Sequence, residues 1–186
     1  MRLFTGLELP VHVESELDRV LKLWREVAPG LQWSPLENLH ITTKFIGDWP
    51  EARLQELKDA LACVPKPGAL AIAVLGVSWF PNPHQPRSLF AAIDSVPRGL
   101  LDLAGHTQDA LARIGIPREQ REYKPHITLA RVNSAPAPEL SALQRAIGES
   151  PSLEFGMIEA KSFFLFLSQP ESRGSIYKKL AEFSFQ

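Results

Sequence analysis

The sequence predicts an α+β fold in which antiparallel strands and separate helices alternate along the chain. Apolar residues repeat with period two in some short segments and at helical spacing in others. Several strand-to-strand connections are short enough for antiparallel hairpins. One theme also occurs twice. A strand, a helix and then a strand carrying His-x-Thr lead to HITTKFIG at 40–47 and again to HITLAR at 126–131, with the histidines 86 residues apart (126 − 40) in a chain of 186.

Residues 2–9 (RLFTGLEL) alternate, with Leu3, Leu7 and Leu9 on one face and Arg2, Phe4 and Gly6 on the other, as in a strand. Pro10 suits a helix start. Leu17, Val20, Leu21, Trp24 and Val27 then recur at helical spacing until Pro29-Gly30 ends the run. A short strand near 31–34 leads into the strand with HITTKFIG, which Gly47 stops. Leu54, Leu57 and Leu61 share one face of a second helix at 51–63. LAIAVLGVSWF (70–80) and SLFAAI (88–93) read as strands around a Pro-rich turn. A helix is expected at about 98–114, the strand HITLARV next, and a fourth helix at about 138–148. FFLFLS (163–168) and YKKLAEFSF (177–185) read as closing strands, with 169–175 a polar loop.

The length fits one domain, or two small lobes sharing a core. A single cysteine, Cys63, excludes an internal disulfide and suits a reducing compartment. The opening MRLFTGLELP lacks the apolar run of a signal peptide, and no stretch approaches the roughly 20 apolar residues of a membrane span, so a cytoplasmic protein without a membrane partner is expected. A formal net charge of −1 argues against a protein that coats nucleic acid, and any such contact should be local, with one end or one nucleotide.

In a strand, side chains alternate faces, so His40 and Thr42 share one side, as do His126 and Thr128. Ile41 and Phe45, and likewise Ile127 and Leu129, are expected on the opposite, core side. Two imidazoles and two hydroxyls suit phosphodiester chemistry. One neutral histidine takes a proton from the attacking group and one protonated histidine gives a proton to the leaving alkoxide. The threonine hydroxyls donate to the non-bridging phosphoryl oxygens. With paired motifs of this kind the rate should be bell-shaped in pH, with limbs around neutrality.

RLFTGLELP at the start, WSPLENLHITTKFIGD at 33–48 and YKPHITLAR at 123–131 together resemble the 2H phosphoesterases, and within them the bacterial and archaeal RNA 2′,3′-cyclic phosphodiesterases, also called 2′-5′ RNA ligases. The resemblance implies a single bilobal domain over 1–186, with two antiparallel sheets facing a central cleft, helices outside and a pseudo-twofold internal duplication. It implies opening of RNA or nucleotide 2′,3′-cyclic phosphate ends to a 2′-phosphate without metal or cofactor, together with reversible 2′-5′ ligation. His40, Thr42, His126 and Thr128 match the catalytic motif positions, with His126 the base and His40 the acid. Arg131 matches an arginine implicated in phosphate binding. Five residues from His126, it should face away in a regular strand, so a bulge or strand end is required. Thr43 stands where this branch usually has leucine.

Phe4, Phe90 and Tyr123 are further substrate-binding candidates, the first two as aromatics able to stack a base. Arg118, Arg121 and Lys124 form a basic run before the second motif; it reads first as a solvated face, and it is also the best candidate for contacts with flanking RNA phosphates. His12, His84 and His106 read as surface residues. Two rivals remain at this level: an RNA-end-binding module without turnover, and a metallohydrolase using His40 and His126. The second is disfavoured because no carboxylate or third histidine accompanies either motif at ligand spacing. Oligomeric state leaves no mark on the sequence, and a monomer is the default.

Overall fold

The computed structural model describes residues 1–133, 135–150, 152–171 and 174–185. Strands β1 (Arg2–Glu8), β2 (Gln32–Trp33), β3 (His40–Asp48), β4 (Leu70–Phe80), β5 (Ser88–Asp94), β6 (His126–Arg131), β7 (Glu154–Ala160), β8 (Ser162–Glu171) and β9 (Gly174–Ser184) are joined through helices α1 (Val11–Val27), α2 (Leu54–Ala62), α3 (Arg98–Ala112) and α4 (Ala137–Gly148). The strand order is β7-β4-β5-β6-β3-β1-β8-β9, antiparallel throughout, with β2 on β6. This is the expected α+β class, and the order shows the duplication: β3-β1-β8-β9 forms one wing and β6-β5-β4-β7 the other.

The two expected sheets are joined by hydrogen bonding into one. The join is a single bridge, Ile41 opposite Ile127. Beyond it β2 takes over the edge of β6, pairing Gln32 with Arg131 and Trp33 with Ala130. The two motifs therefore lie on adjacent strands.

The helices cover the sheet by exchange. α1 leaves the first wing and packs on β7 and α4, whereas α3 leaves the second wing and packs on β3 and α2. Val13, Leu17, Leu21 and Trp24 of α1 and Leu100, Leu103 and Leu111 of α3 meet Leu3, Leu7, Ile41, Ile127 and Leu129 in one core cluster. Burial of that apolar face, more than helix propensity, holds each helix.

Two segments differ from expectation. Residues 154–160, without a sequence assignment, form β7; Gly156 at φ 109° and exposed Met157 interrupt the alternation that would mark it. Much of the presumed loop 169–175 is strand: β8 runs to Glu171 and β9 resumes at Gly174, with Gln169 opposite Ile176. Ser172 and Arg173 of that loop lie outside the described residues.

Candidate active site

Antiparallel register around the Ile41–Ile127 bridge sets His40 beside Thr128 and Thr42 beside His126. Adjacent strands lie about 5 Å apart and residues two apart on one strand about 7 Å, so the four side chains frame an area the size of a phosphate group. Ile41 and Ile127 are fully buried on the other face. His40, Thr42, Thr128 and Arg131 line a cavity of about 720 Å³.

Each imidazole is fixed the same way. His40 Nδ1 lies 2.6 Å from the Asn38 carbonyl and His126 Nδ1 lies 2.7 Å from the Lys124 carbonyl. A carbonyl only accepts, so both Nδ1 atoms carry the proton and both Nε2 atoms are left for chemistry. Thr42 Oγ1 is 2.9 Å from His40 Nε2 and donates to it while that ring is neutral. No sequence signal marks Asn38 or Lys124, since any residue two places ahead offers the same carbonyl.

The histidines differ in depth. Gly6 stands opposite Thr42, where the other wing has Phe90 opposite Thr128. A Cβ on Gly6 would come 2.7 Å from the Ile41 carbonyl oxygen and 3.4 Å from the His40 ring. The bare glycine thus lets His40 settle against Phe4 (centroids 4.7 Å) and edge-on to Tyr177 (5.2 Å). On the other wing Phe90 fills the slot, stacked on Phe80 at 4.1 Å, and His126 sits edge-on to both rings. Burial pushes the His40 pKa down to about 4, and burial, then the nearby Arg131 charge, also lowers that of His126. Gly6→Ala is accordingly expected to force β1 and β3 apart, costing about 1–3 kcal/mol in denaturant unfolding and lowering activity through the displaced His40.

Arg131 reaches the cavity by the bulge its position demands. The register of β6 against β5 slips between Ala130 and Thr128, so Leu129 and Ala130 are both buried and Arg131 emerges on the cleft side. The same slip follows the first motif, where Gly6 pairs with Thr42 but Thr5 with Lys44. Phe45, expected on the core side, is therefore 64% exposed and lines the cavity. Thr43, at the usual leucine position, is buried and its hydroxyl is 2.7 Å from that of Thr5, each satisfying the other.

The other candidates are placed differently from expectation. Phe4 borders the cavity but is 3% exposed, stacked on Phe166 and in contact with His40; it is a wall for the histidine more than a free stacking face. Phe90 is likewise engaged with Phe80. Tyr123 donates its hydroxyl proton to the Thr42 carbonyl (2.9 Å), tying the approach to the second motif onto the first. Burial raises its pKa, keeping that proton in place. Sequence reading missed Tyr177 and the hydrogen bond from Asn38 Nδ2 to the Ser175 carbonyl, through which the β8–β9 hairpin braces His40. Both depend on pairing across more than 130 residues. Among the described residues no group of three or more His, Cys, Asp or Glu side chains is placed to hold a metal ion, and no helix is long and apolar enough to cross a membrane.

The family model for LigT-like phosphoesterases matches residues 7–90 and 92–177, spanning both motifs. The chain belongs to this family. Among curated LigT-like relatives, the RNA 2′,3′-cyclic phosphodiesterase of Archaeoglobus fulgidus is 31% identical over 98% of this chain and 99% of its own. That of Thermus thermophilus is 32% identical over 100% and 91%, and that of Methanocaldococcus jannaschii 28% over 98% and 99%. In structure, this LigT-like chain superposes on TT0787 of T. thermophilus with a TM-score of 0.82 at 29% identity, covering 100% and 98% of the two chains. E. coli LigT complexed with 3′-AMP shares the fold, with a TM-score of 0.77 at 20% identity over 98% and 97%.

Proposed function

We propose that the protein hydrolyses RNA or nucleotide 2′,3′-cyclic phosphate ends to 2′-phosphates by two-histidine acid–base catalysis. The observation that carries this reading is the pair of His-x-Thr motifs on adjacent strands, each with Nδ1 committed to a carbonyl and Nε2 left for proton transfer, with His40, Thr42, Thr128 and Arg131 lining one cavity. The full-length relatives that bear the name RNA 2′,3′-cyclic phosphodiesterase support it. In this reading the cyclic phosphate lies between His40 and His126, and Thr42, Thr128 and Arg131 hold its non-bridging oxygens. Water attacks phosphorus and passes a proton to His126 Nε2. The P–O3′ bond breaks, and His40 Nε2–H protonates the departing 3′ oxygen. A 2′-phosphomonoester and a 3′-hydroxyl result. Residues 1–186 act as one bilobal unit, because each wing supplies one histidine. All these groups come from one chain, so the acid–base step calls on no residue of a second subunit.

The test is incubation with an RNA ending in a 2′,3′-cyclic phosphate in the presence of EDTA. A 2′-phosphate product is expected. A 3′-phosphate product, or activity that EDTA abolishes and zinc or manganese restores, overturns the reading.

The pH dependence follows from burial. The rate needs one neutral and one protonated imidazole, and both pKa values lie below the ordinary 6.5 in the free protein. The bell in kcat/KM is therefore expected on the acid side of neutrality, displaced from the neutral limbs that the sequence suggests, with limbs belonging to the coupled pair. A bound phosphate anion favours imidazolium, so the bell in kcat should lie at higher pH than that in kcat/KM. A kcat/KM optimum on the alkaline side of the kcat optimum contradicts this account.

A further inference from the structure

The cavity does not end at the motif side chains. It continues along the outer part of β3, past Phe45 and Gly47, to Arg2, Ser168 and Glu171. Phe45 lies five residues beyond His40, roughly 15 Å along the strand. A volume of about 720 Å³ falls within the range that encloses a whole small ligand, far more than one phosphate needs.

This outer stretch carries groups that the chemistry at the motifs does not use. Phe45 is the only aromatic among the large exposed hydrophobic side chains of the described residues, and the slip after Thr42 turns its ring into the cavity. Arg2 is exposed, lines the same stretch and makes no ion pair among the described residues. Ser168 lies opposite it on β8 and adds a hydroxyl. Glu171 offers an acceptor to a base amino group. The basic run before the second motif has a different setting: Arg118 is ion-paired with Asp109 and Lys124 with Glu122, and none of Arg118, Arg121 and Lys124 lines the cavity.

A 2′,3′-cyclic phosphate closes the 3′ end of a chain, so the rest of the RNA leaves the cleft only in the 5′ direction. We propose that the outer half of the cleft binds the ribonucleotide on the 5′ side of the cyclic end, with its base stacked on Phe45 and its phosphodiester held by Arg2. The chain then leaves over the β3-β1-β8 wing and not past Arg121 and Lys124. A π-face and one cation select for a ribonucleotide chain over a mononucleotide while tolerating any base. This rests on the RNA-end reading of the site.

Binding of reaction products tests it without turnover. Affinities are measured for a tetraribonucleotide ending in a 2′-phosphate and for the matching 2′-mononucleotide. The wild-type protein is expected to bind the tetranucleotide at least about tenfold tighter. Arg2→Gln and Phe45→Ala should each remove most of that margin, and Arg2→Gln should flatten the salt dependence of tetranucleotide binding by about 0.7 in log–log slope. The double variant Arg121→Gln/Lys124→Gln should keep the margin. Both tested side chains are exposed, so neither change threatens the fold. No margin in the wild type, a margin that survives both substitutions, or one lost only in the Arg121/Lys124 variant overturns the proposal. A protein that shows the margin through Arg2 and Phe45 yet opens no cyclic phosphate would refute the phosphodiesterase and leave the subsite standing.

Discussion

His40→Ala and His126→Ala are each expected to lower the single-turnover rate on a 2′,3′-cyclic substrate by about 10²–10⁴-fold, the usual worth of a positioned acid or base. Neither should unfold the protein. The strand positions that anchor the core are Ile41 and Ile127, fully buried on the opposite face. The His40 variant should lose more stability, because its ring contacts Phe4, Phe166 and Tyr177 and bonds the Thr42 hydroxyl, where the His126 ring contacts Phe80 and Phe90. Thr42→Ala and Thr128→Ala should cost less in rate, since each removes one hydrogen-bond donor and leaves both proton carriers. Rapid-quench rates alongside thermal melts separate the two effects. A near-normal rate in either histidine variant would sink the two-histidine mechanism.

What the sequence discloses of this site follows from how local each feature is. Parity within a strand is local, so His40 with Thr42 and His126 with Thr128 could be assigned to one face from spacing alone. Parity fails where a bulge intervenes. Phe45 was expected in the core and Arg131 could reach the cleft only through an irregularity, and one slip in each motif strand settles both. Nothing in HITTKFIG or HITLAR marks those slips, because they arise from pairing with β1 and β5. The asymmetry between the histidines is also non-local: it depends on Gly6 facing Thr42 while Phe90 faces Thr128. A glycine in an alternating strand signals close backbone approach, but the sequence does not say to what. Tyr123 shows the converse. Its place in the motif is legible, yet its hydroxyl serves the Thr42 carbonyl, a contact 81 residues away.

Burial gives the two histidines unequal starting points, and this bears on which does what. With its pKa pushed down to about 4 by burial, His40 is predominantly neutral at pH 7 in the free protein. As the acid it therefore has to gain its proton with the substrate, whose phosphate anion favours the imidazolium. His126, less deeply set and beside Arg131, has its Nε2 free of the threonine contact that occupies His40. A substrate with sulfur in place of the bridging 3′ oxygen isolates the acid step. A thiolate, with a conjugate-acid pKa near 8.5, departs with little protonation. Such a substrate is expected to return His40→Ala to within about tenfold of wild type, recovering most of the 10²–10⁴ lost. It should do nothing for His126→Ala, because water still has to be deprotonated. Rates of both variants on the oxygen and sulfur substrates, at one pH, give the answer. Rescue of His126→Ala alone would exchange the two roles. Rescue of neither, while the wild type turns the sulfur substrate over, would place the acid outside this pair of histidines.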